Sequence, residues 1–149
     1  MSGSQTFPKL SQQALDEHRQ IHFHLDLLAK AIAVLDPATA DAESLMTLAA
    51  RIESLKERLE EHFHDEEDGG LYQGILDQMP QAESDVLRLM AQHERTLQAV
   101  ETARVLARRR EPSEAGLLRS DLERIMEMMR DHETEEEALV ARALARHRD

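Results

Sequence analysis

Hydrophobic residues recur along this chain at alternating steps of three and four positions, in four separate segments. That spacing places them on one face of an α-helix. The series in the second segment is Leu45, Leu48, Ile52, Leu55 and Leu59. The series in the fourth segment is Leu118, Leu122, Ile125, Met129 and, after an interruption, Leu139 and Ala143. The pattern therefore predicts four amphipathic helices that share one core.

Capping and helix-breaking residues predict where these helices begin and end. The predicted helices span residues 11–35, 41–68, 81–110 and 113–147, with a short helical turn over residues 71–79. The predicted N-caps are Ser11, Asp41 and Ser113. Asp36-Pro37 and Gly69-Gly70 are the predicted breaks after the first and second helices.

Short connections between long helices are typical of an all-α, up-down-up-down four-helix bundle. Aromatic residues make up only 3% of the chain, which contains five glycines and four prolines, and this composition argues against β-sandwiches and barrels. A chain of 149 residues is expected to form one domain. We assign residues 11–149 to that domain and residues 1–10 to a disordered lead-in.

Six ionisable side chains interrupt the apolar stripes at positions that the helical period assigns to the core. They are His18, His62, Glu66, His93, His132 and Glu136. Two His–Glu pairs among them are spaced four residues apart, so each pair lies on one helix face about one turn apart. At a rise of about 1.5 Å per residue, antiparallel helices bring all six to compatible levels. We expect the six to converge in one layer.

Burying carboxylates without partners costs several kcal/mol, so this layer needs compensation. One solution is a salt-bridged polar core, which would require protonated histidines in a dry bundle and would stabilise little. The other is a metal site. Four histidines and two glutamates are too many for one tetrahedral ion and suit two ions bridged by carboxylates. Mixed nitrogen and oxygen ligands with open positions favour iron, with manganese or zinc as alternatives.

Composition and charge argue against several classes of binding site and partner. The chain contains no cysteine, which excludes disulfides, thiolate zinc sites and iron–sulfur clusters. A net charge of −12 argues against binding nucleic acid or an anionic membrane. The first ten residues lack the apolar run of a signal peptide, and no segment approaches the roughly 20 apolar residues of a membrane span. We therefore expect a cytoplasmic protein.

The motifs around the six residues resemble those of the hemerythrin-like (HHE cation-binding) family. They are Asp16-Glu17-His18-Arg19-Gln20-Ile21, His62-Phe63-His64-Asp65-Glu66-Glu67 followed by Leu71-Tyr72, His93-Glu94, and His132 with Glu136. The resemblance implies a left-handed four-helix bundle around an oxo- or hydroxo-bridged di-iron centre. It also implies that the four histidines are terminal ligands and that Glu66 and Glu136 are bridging carboxylates.

The chain departs from the oxygen-carrying hemerythrins at two positions. Those proteins have a second histidine four residues after the third-helix ligand, where this chain has Leu97. They also place the fourth-helix carboxylate one position after Glu136, as an aspartate. A missing imidazole leaves a coordination position open. We therefore expect binding or sensing of a small ligand such as dioxygen, peroxide or nitric oxide.

Several alternatives stay open on the sequence alone. The protein could be a di-iron oxidoreductase that consumes peroxide or nitric oxide, an iron storage or donation protein, or a metal-free helical interaction module. The sequence does not give the oligomeric state.

The roles of five neighbouring residues are also predicted. His22, on the flank of the first stripe, is an extra ligand, a partner that contacts a ligand, or a boundary residue, and we favour the boundary role. Glu17, Glu67 and Glu133 each neighbour a candidate ligand and either orient an imidazole or are solvated. We favour the solvated role, because residues adjacent in sequence do not face the same way. Tyr72 is placed near the open end of the bundle, within reach of a bound small molecule.

Overall fold

The computed structural model of the protein describes residues 6–36 and 38–148. Its α-helices are α1 (Phe7–Ala33), α2 (Ala42–Asp68), α3 (Leu71–Gln78), α4 (Glu83–Arg108) and α5 (Ala115–Arg148). A 3-10 turn precedes α4 at Pro80–Ala82, and another precedes α5 at Pro112–Glu114. The described residues contain no strand. The predicted all-α four-helix bundle is thus confirmed, with α3 as an additional short helix.

The four long helices pack in the circular order α1, α2, α4, α5, in which α5 closes back onto α1. Short connections make successive long helices antiparallel. The short helix α3 joins the end of α2 to the start of α4, and it packs against α1, α2 and α5 at that end of the bundle. None of the described helices is apolar enough over a sufficient length to cross a bilayer.

The first helix begins earlier than the sequence predicts. Thr6 is the N-cap of α1, and Phe7 is buried against the apolar end of the bundle. Ser11, the predicted cap, is buried inside the helix, where its hydroxyl donates to the carbonyl of Phe7 at 2.9 Å. Residues 7–10 of the predicted lead-in are therefore helical, because burial of Phe7 draws them into the bundle. Residues 1–5 of that lead-in lie outside the described residues.

The other predicted ends differ in smaller ways. Asp41 caps α2 as predicted and forms a capping box with Ser44. Gly70 adopts φ +109°, a left-handed conformation suited to glycine, and this allows α3 to start directly after α2. Ser113 lies inside a 3-10 turn instead of capping α5. The predicted break at Asp36-Pro37 follows the observed end of α1 at Ala33, and Pro37 lies outside the described residues.

Two apolar clusters fill the core, one toward each end of the bundle. The small cluster comprises Phe7, Ala14, Leu71, Tyr72, Ile75, Met79, Ala82, Val86, Leu89, Leu139, Val140 and Ala143. The large cluster comprises residues of α1, α2, α4 and α5 and of their connections, from Ile21 to Leu35, Leu45 to Phe63, Val100 to Ala107 and Ala115 to Met129. Along each long helix the polar positions fall between the two clusters, which leaves one polar layer across the bundle.

The buried face of α4 differs slightly from the predicted stripe. The spacing of Val86, Met90, His93, Leu97 and Val100 predicts that all five lie on its core face. Met90 and Leu97 are only half-buried, at the flanks of the small and large clusters. Leu89 and Thr96 are buried in their place. Steps of three and four both keep a residue near one helix face, so neighbouring helices decide which flank turns inward.

Candidate metal centre

The structure brings the six predicted side chains together in the polar layer between the two clusters. None of the six has an exposed fraction above 4%. They form two groups that share Glu66 and Glu136, and within each group one ligand atom per residue lies within 4.8 Å of the others. Position A is defined by these glutamates with His18 and His62, and position B by the same glutamates with His93 and His132.

Glu66 reaches both positions, one oxygen to each. Its Oε2 lies 3.1 Å from His62 Nε2 in position A, and its Oε1 lies 3.1 Å from His93 Nε2 in position B. Both oxygens and His62 Nε2 are buried without a hydrogen-bond partner among the residues that the structure describes. These atoms are therefore close to one another without forming a hydrogen bond.

That arrangement fits bound ions. Metal–nitrogen and metal–oxygen bonds of about 2.1 Å at right angles place neighbouring ligand atoms about 3.0 Å apart. Buried polar atoms without partners are rare in folded proteins, and each needs an explanation. A cation in position A would satisfy His62 Nε2 and Glu66 Oε2, and a second cation in position B would satisfy Glu66 Oε1.

Glu136 spans the two positions in the same manner. Its Oε1 lies 3.0 Å from His18 Nε2 in position A, and its Oε2 lies 3.4 Å from His132 Nε2 in position B. Each of the two glutamates thus presents one oxygen to each position, which is the geometry of a bridging carboxylate.

An outer set of acceptors orients the four imidazoles. In each histidine Nε2 faces the layer, and Nδ1 contacts an oxygen on a neighbouring helix. The pairs, with Nδ1–oxygen distances, are His62–Glu17 at 3.0 Å, His93–Glu67 at 2.7 Å, His132–Gln92 at 2.7 Å and His18–Glu137 at 2.9 Å. An imidazole that donates from Nδ1 keeps the Nε2 lone pair for a metal, and such partners raise ligand basicity.

These outer acceptors follow a regular offset and close a ring around the bundle. Each one is adjacent in sequence to a candidate ligand of its own helix but contacts the histidine of the next helix in the circle. Glu17 and Gln92 directly precede His18 and His93, whereas Glu67 and Glu137 directly follow Glu66 and Glu136. Successive residues on a helix point about 100° apart, so a residue beside an inward ligand faces the adjoining helix.

The prediction that Glu17 and Glu67 are solvated is therefore wrong. Both are only partly exposed and contact histidines across a helix interface. Gln92 and Glu137 were not singled out from the sequence, although they occupy the same offsets. Glu133, also expected to be solvated, is buried and contacts His22. His22 itself is half exposed and lies outside both positions, as a boundary residue does.

Tyr72, on α3, contacts two residues of position B. Its hydroxyl donates to Glu136 Oε2 at 2.6 Å and lies 3.0 Å from His93 Nε2. The Tyr72 ring stacks on the imidazole of His93 at 5.7 Å between centroids, and Phe63 stacks on the same imidazole at 3.8 Å. Tyr72 is thus within reach of a ligand at position B, although it is buried and not at an open end.

Comparison with known proteins gives one match. Residues 12–144 match the family model for the hemerythrin HHE cation binding domain. The chain belongs to the hemerythrin HHE cation-binding domain family. No curated protein and no solved structure matches the chain. Family membership assigns cation binding to this domain, and the two positions are where its buried ligating side chains converge.

Carboxylates around His18 and His62 favour the protonated forms of these two imidazoles. Burial opposes charging of His18, but contacts with Glu136 and then Glu66 outweigh it and raise the pKa of His18 to about 11. Burial likewise opposes charging of His62, whose contacts with Glu17 and Glu66 raise its pKa to about 9. Without a metal, these two imidazoles hold protons at neutral pH.

The pKa values of Glu66 and Tyr72 are shifted in opposite directions. Burial tends to raise the pKa of Glu66, but contacts with Glu136 and the histidines hold it well below its ordinary value. Burial, and next the charge of Glu136, raise the pKa of the Tyr72 hydroxyl far above its ordinary value. Glu66 is therefore an anionic ligand, and Tyr72 keeps its proton in the metal-free domain.

A cavity of about 220 Å³ reaches position A. It is lined by Glu17, His62, Asp65 and Glu66 together with apolar residues such as Leu71. Another cavity, of about 250 Å³, borders position B at His132 and its acceptor Gln92. Molecules of a few atoms could approach position A through the first cavity, whereas the clusters close the layer along the bundle axis.

The metal-free domain should lose stability as pH rises above neutrality. Raised folded-state pKa values for His18 and His62 mean that their stabilisation is complete below about pH 6.5 and is lost as pH passes through about 9 and 11. Bound metal requires deprotonated imidazoles, so metal affinity should instead increase with pH. Thermal unfolding with chelator at about pH 7 and about pH 10 measures the first trend, and unfolding with Zn²⁺ at about pH 6 and about pH 7.5, where the ion stays dissolved, measures the second. A melting temperature that responds to neither metal nor pH would contradict the assignment.

Loss of an outer acceptor should weaken metal binding without removing a ligand. We expect Glu17→Ala and Gln92→Ala each to lower metal affinity about 10- to 100-fold, because the imidazole that each one orients would lose its partner. Competition with a chromophoric chelator gives the affinities. Glu94→Ala is the matched control, since Glu94 is adjacent to His93 in sequence but exposed. Equal losses in all three variants would rule out a specific orienting role.

Proposed function

We propose that this HHE domain is a non-haem di-iron protein that binds a small ligand such as dioxygen, peroxide or nitric oxide. The observation that carries the proposal is the pair of glutamates, Glu66 and Glu136, each with one oxygen toward each of two histidine pairs. Such carboxylates would hold two ions at a short separation. Ions bound elsewhere in the chain would leave the placement of these two glutamates between the histidine pairs unexplained.

The donor set supports iron. Each position offers two imidazole nitrogens and two carboxylate oxygens, a mixture that suits iron, manganese or zinc, and four ligands leave room for further coordination. Bound iron would supply reversible electron transfer and affinity for diatomic and peroxide ligands. The chain supplies the geometry. The outer acceptors fix the imidazoles, and the two apolar clusters close the layer to water along the bundle axis.

The hydroxyl of Tyr72 places a hydrogen-bond donor beside position B. Its hydroxyl is held 2.6 Å from Glu136 Oε2 by α3, and it retains its proton because the site is buried and anionic. A small anionic or dipolar ligand at position B could accept a hydrogen bond from this group. The cavity beside His62 and Glu66 offers a route from solvent to position A.

Metal analysis with absorption spectroscopy tests this proposal. The iron-loaded protein should contain about two irons per chain and show near-ultraviolet and visible bands that change with azide or peroxide. We expect His62→Ala to lose metal, because it removes a ligand from position A. His64→Ala should keep the full content, since His64 lies two residues along the same helix with its side chain exposed.

Other results would change the conclusion in defined ways. Zinc or a single ion would retain the site but remove the redox chemistry. Iron that passes freely to a chelator, without ligand-dependent bands, would favour storage or donation. No metal after reconstitution would leave a polar core in a helical interaction module and overturn the proposal. Unchanged metal content in His62→Ala would overturn the assignment of the site residues.

The Tyr72 proton also supports a second candidate, a di-iron oxidoreductase that reduces peroxide. Reduction of peroxide to two waters consumes two electrons and two protons, and an external donor would have to supply the electrons. Steady-state peroxide consumption by the iron-loaded protein with a reductant distinguishes this enzyme from a binder. For the enzyme, Tyr72→Phe should slow turnover about 10²-fold or more while metal content is unchanged. A rate equal to that of free iron would exclude it.

A further inference from the structure

The cavity that reaches position A is lined by three carboxylates, those of Glu17, Asp65 and Glu66, and by no lysine or arginine. The exposure of its lining falls in steps. Gln13 is exposed, Asp65 and Glu17 are half-buried, and Glu66 is buried. The cavity therefore leads from solvent at Gln13, past two carboxylates, to the ligands of position A.

The buried end of this cavity carries polar atoms that lack partners. His62 and Glu66 both line the cavity, and each is only 2% exposed. His62 Nε2 and both oxygens of Glu66 form no hydrogen bond within the described ranges, residues 6–36 and 38–148. Buried atoms of this kind need a partner, and an imidazole nitrogen with carboxylate oxygens suits a divalent cation. The acidic lining thus leads to atoms that can bind a cation, unlike a group of carboxylates on an open surface.

Asp65 differs from the other two carboxylates of the cavity. Glu17 accepts a hydrogen bond from His62, and Glu66 belongs to both positions, whereas Asp65 is neither an outer acceptor nor part of a position. Burial, followed by the negative charges of Glu17 and Glu61, raises the pKa of Asp65. Asp65 is therefore held near carboxylates that repel it, and a cation in the cavity would relieve that repulsion.

The cavity that borders position B has a different charge. Its lining includes Arg95 together with Asp131, and the positive charge of Arg95 opposes the approach of a divalent cation. In the cavity at position A the three carboxylates outnumber the single imidazole of His62 even when that imidazole is protonated. The two apolar clusters close the layer along the bundle axis. Electrostatics therefore favour the cavity at position A as the route for a cation.

We propose that this cavity is the entrance for divalent cations to position A, and that Asp65 and Glu17 attract the ions into it. Negative charge in a narrow cavity with apolar walls focuses the electric field and raises the local concentration of cations. Leu10, Ala14 and Leu71 provide such walls. The inference rests on the proposed dinuclear site, because an entrance requires a position to which it leads.

Stopped-flow uptake of Zn²⁺ by the metal-free protein, followed with a colorimetric zinc indicator, tests the proposal. At about pH 7 and about 0.02 M salt, Asp65→Asn and Gln13→Arg should each slow at least one kinetic phase about threefold or more. Gln13→Glu should accelerate the same phase. These differences should become small at about 0.5 M salt, where the Debye length is only about 4 Å.

The matched control for Gln13→Arg is Gln12→Arg. Gln12 is exposed and adjacent to Gln13 on α1, but it does not line the cavity. The same added charge at Gln12 should change the uptake rate much less. Opposite effects of Gln13→Arg and Gln13→Glu distinguish electrostatic attraction from damage to the fold, which would alter uptake in the same direction in both variants. Every variant should still bind two zinc ions tightly at equilibrium, because no ligand is replaced.

The possible failures are distinguishable. Unchanged uptake in Asp65→Asn and Gln13→Arg, with two tight ions retained, would refute the entrance and leave the dinuclear site intact. Equal slowing in Gln12→Arg and Gln13→Arg would indicate general attraction to a chain of net charge −12, and it would also refute the entrance. Absence of tightly bound zinc in the wild-type chain would instead refute the proposed dinuclear site.

Discussion

Charge compensation within one buried layer is the constraint on which the rest of this structure depends. Glu66 and Glu136 are almost fully buried between two apolar clusters, where an uncompensated carboxylate would oppose folding. Each faces imidazoles of both positions, and each imidazole is held in turn by an acceptor on a neighbouring helix. The layer is compatible with a stable bundle because every charge meets an opposite charge, a hydrogen-bond donor or, when the site is loaded, a cation.

The outer acceptors also couple the four long helices to one another. Each helix contributes one acceptor to the histidine of the next, so the axial positions of all four must agree. The ring is not uniform. Glu17 and Glu137 serve position A, whereas position B has one carboxylate, Glu67, and one neutral amide, Gln92. A carboxylate that accepts from Nδ1 raises the basicity of an imidazole as a metal ligand more than an amide does. The ligands of the two positions therefore differ in basicity.

The short helix α3 gives position B its second distinguishing feature. A left-handed Gly70 allows α3 to turn back over the end of the bundle and carry Tyr72 into the core. Its ring belongs to the small apolar cluster, while its hydroxyl reaches Glu136. One residue therefore helps to keep water out of the layer and holds a proton within it. The position of α3 therefore affects both the packing of the small cluster and the hydroxyl proton beside Glu136.

The sequence alone determined the bundle and the six inward residues, because helical periodicity is local and a histidine or glutamate at a core position is visible in it. Only the tertiary structure decided which outer residues orient the imidazoles. Glu17 lies next to His18 in the chain but serves His62, and that pairing depends on the rotation and height of two helices. The burial of Thr96 instead of Leu97 has the same cause. Contacts between helices are non-local, and the sequence of one helix does not specify the face of its neighbour.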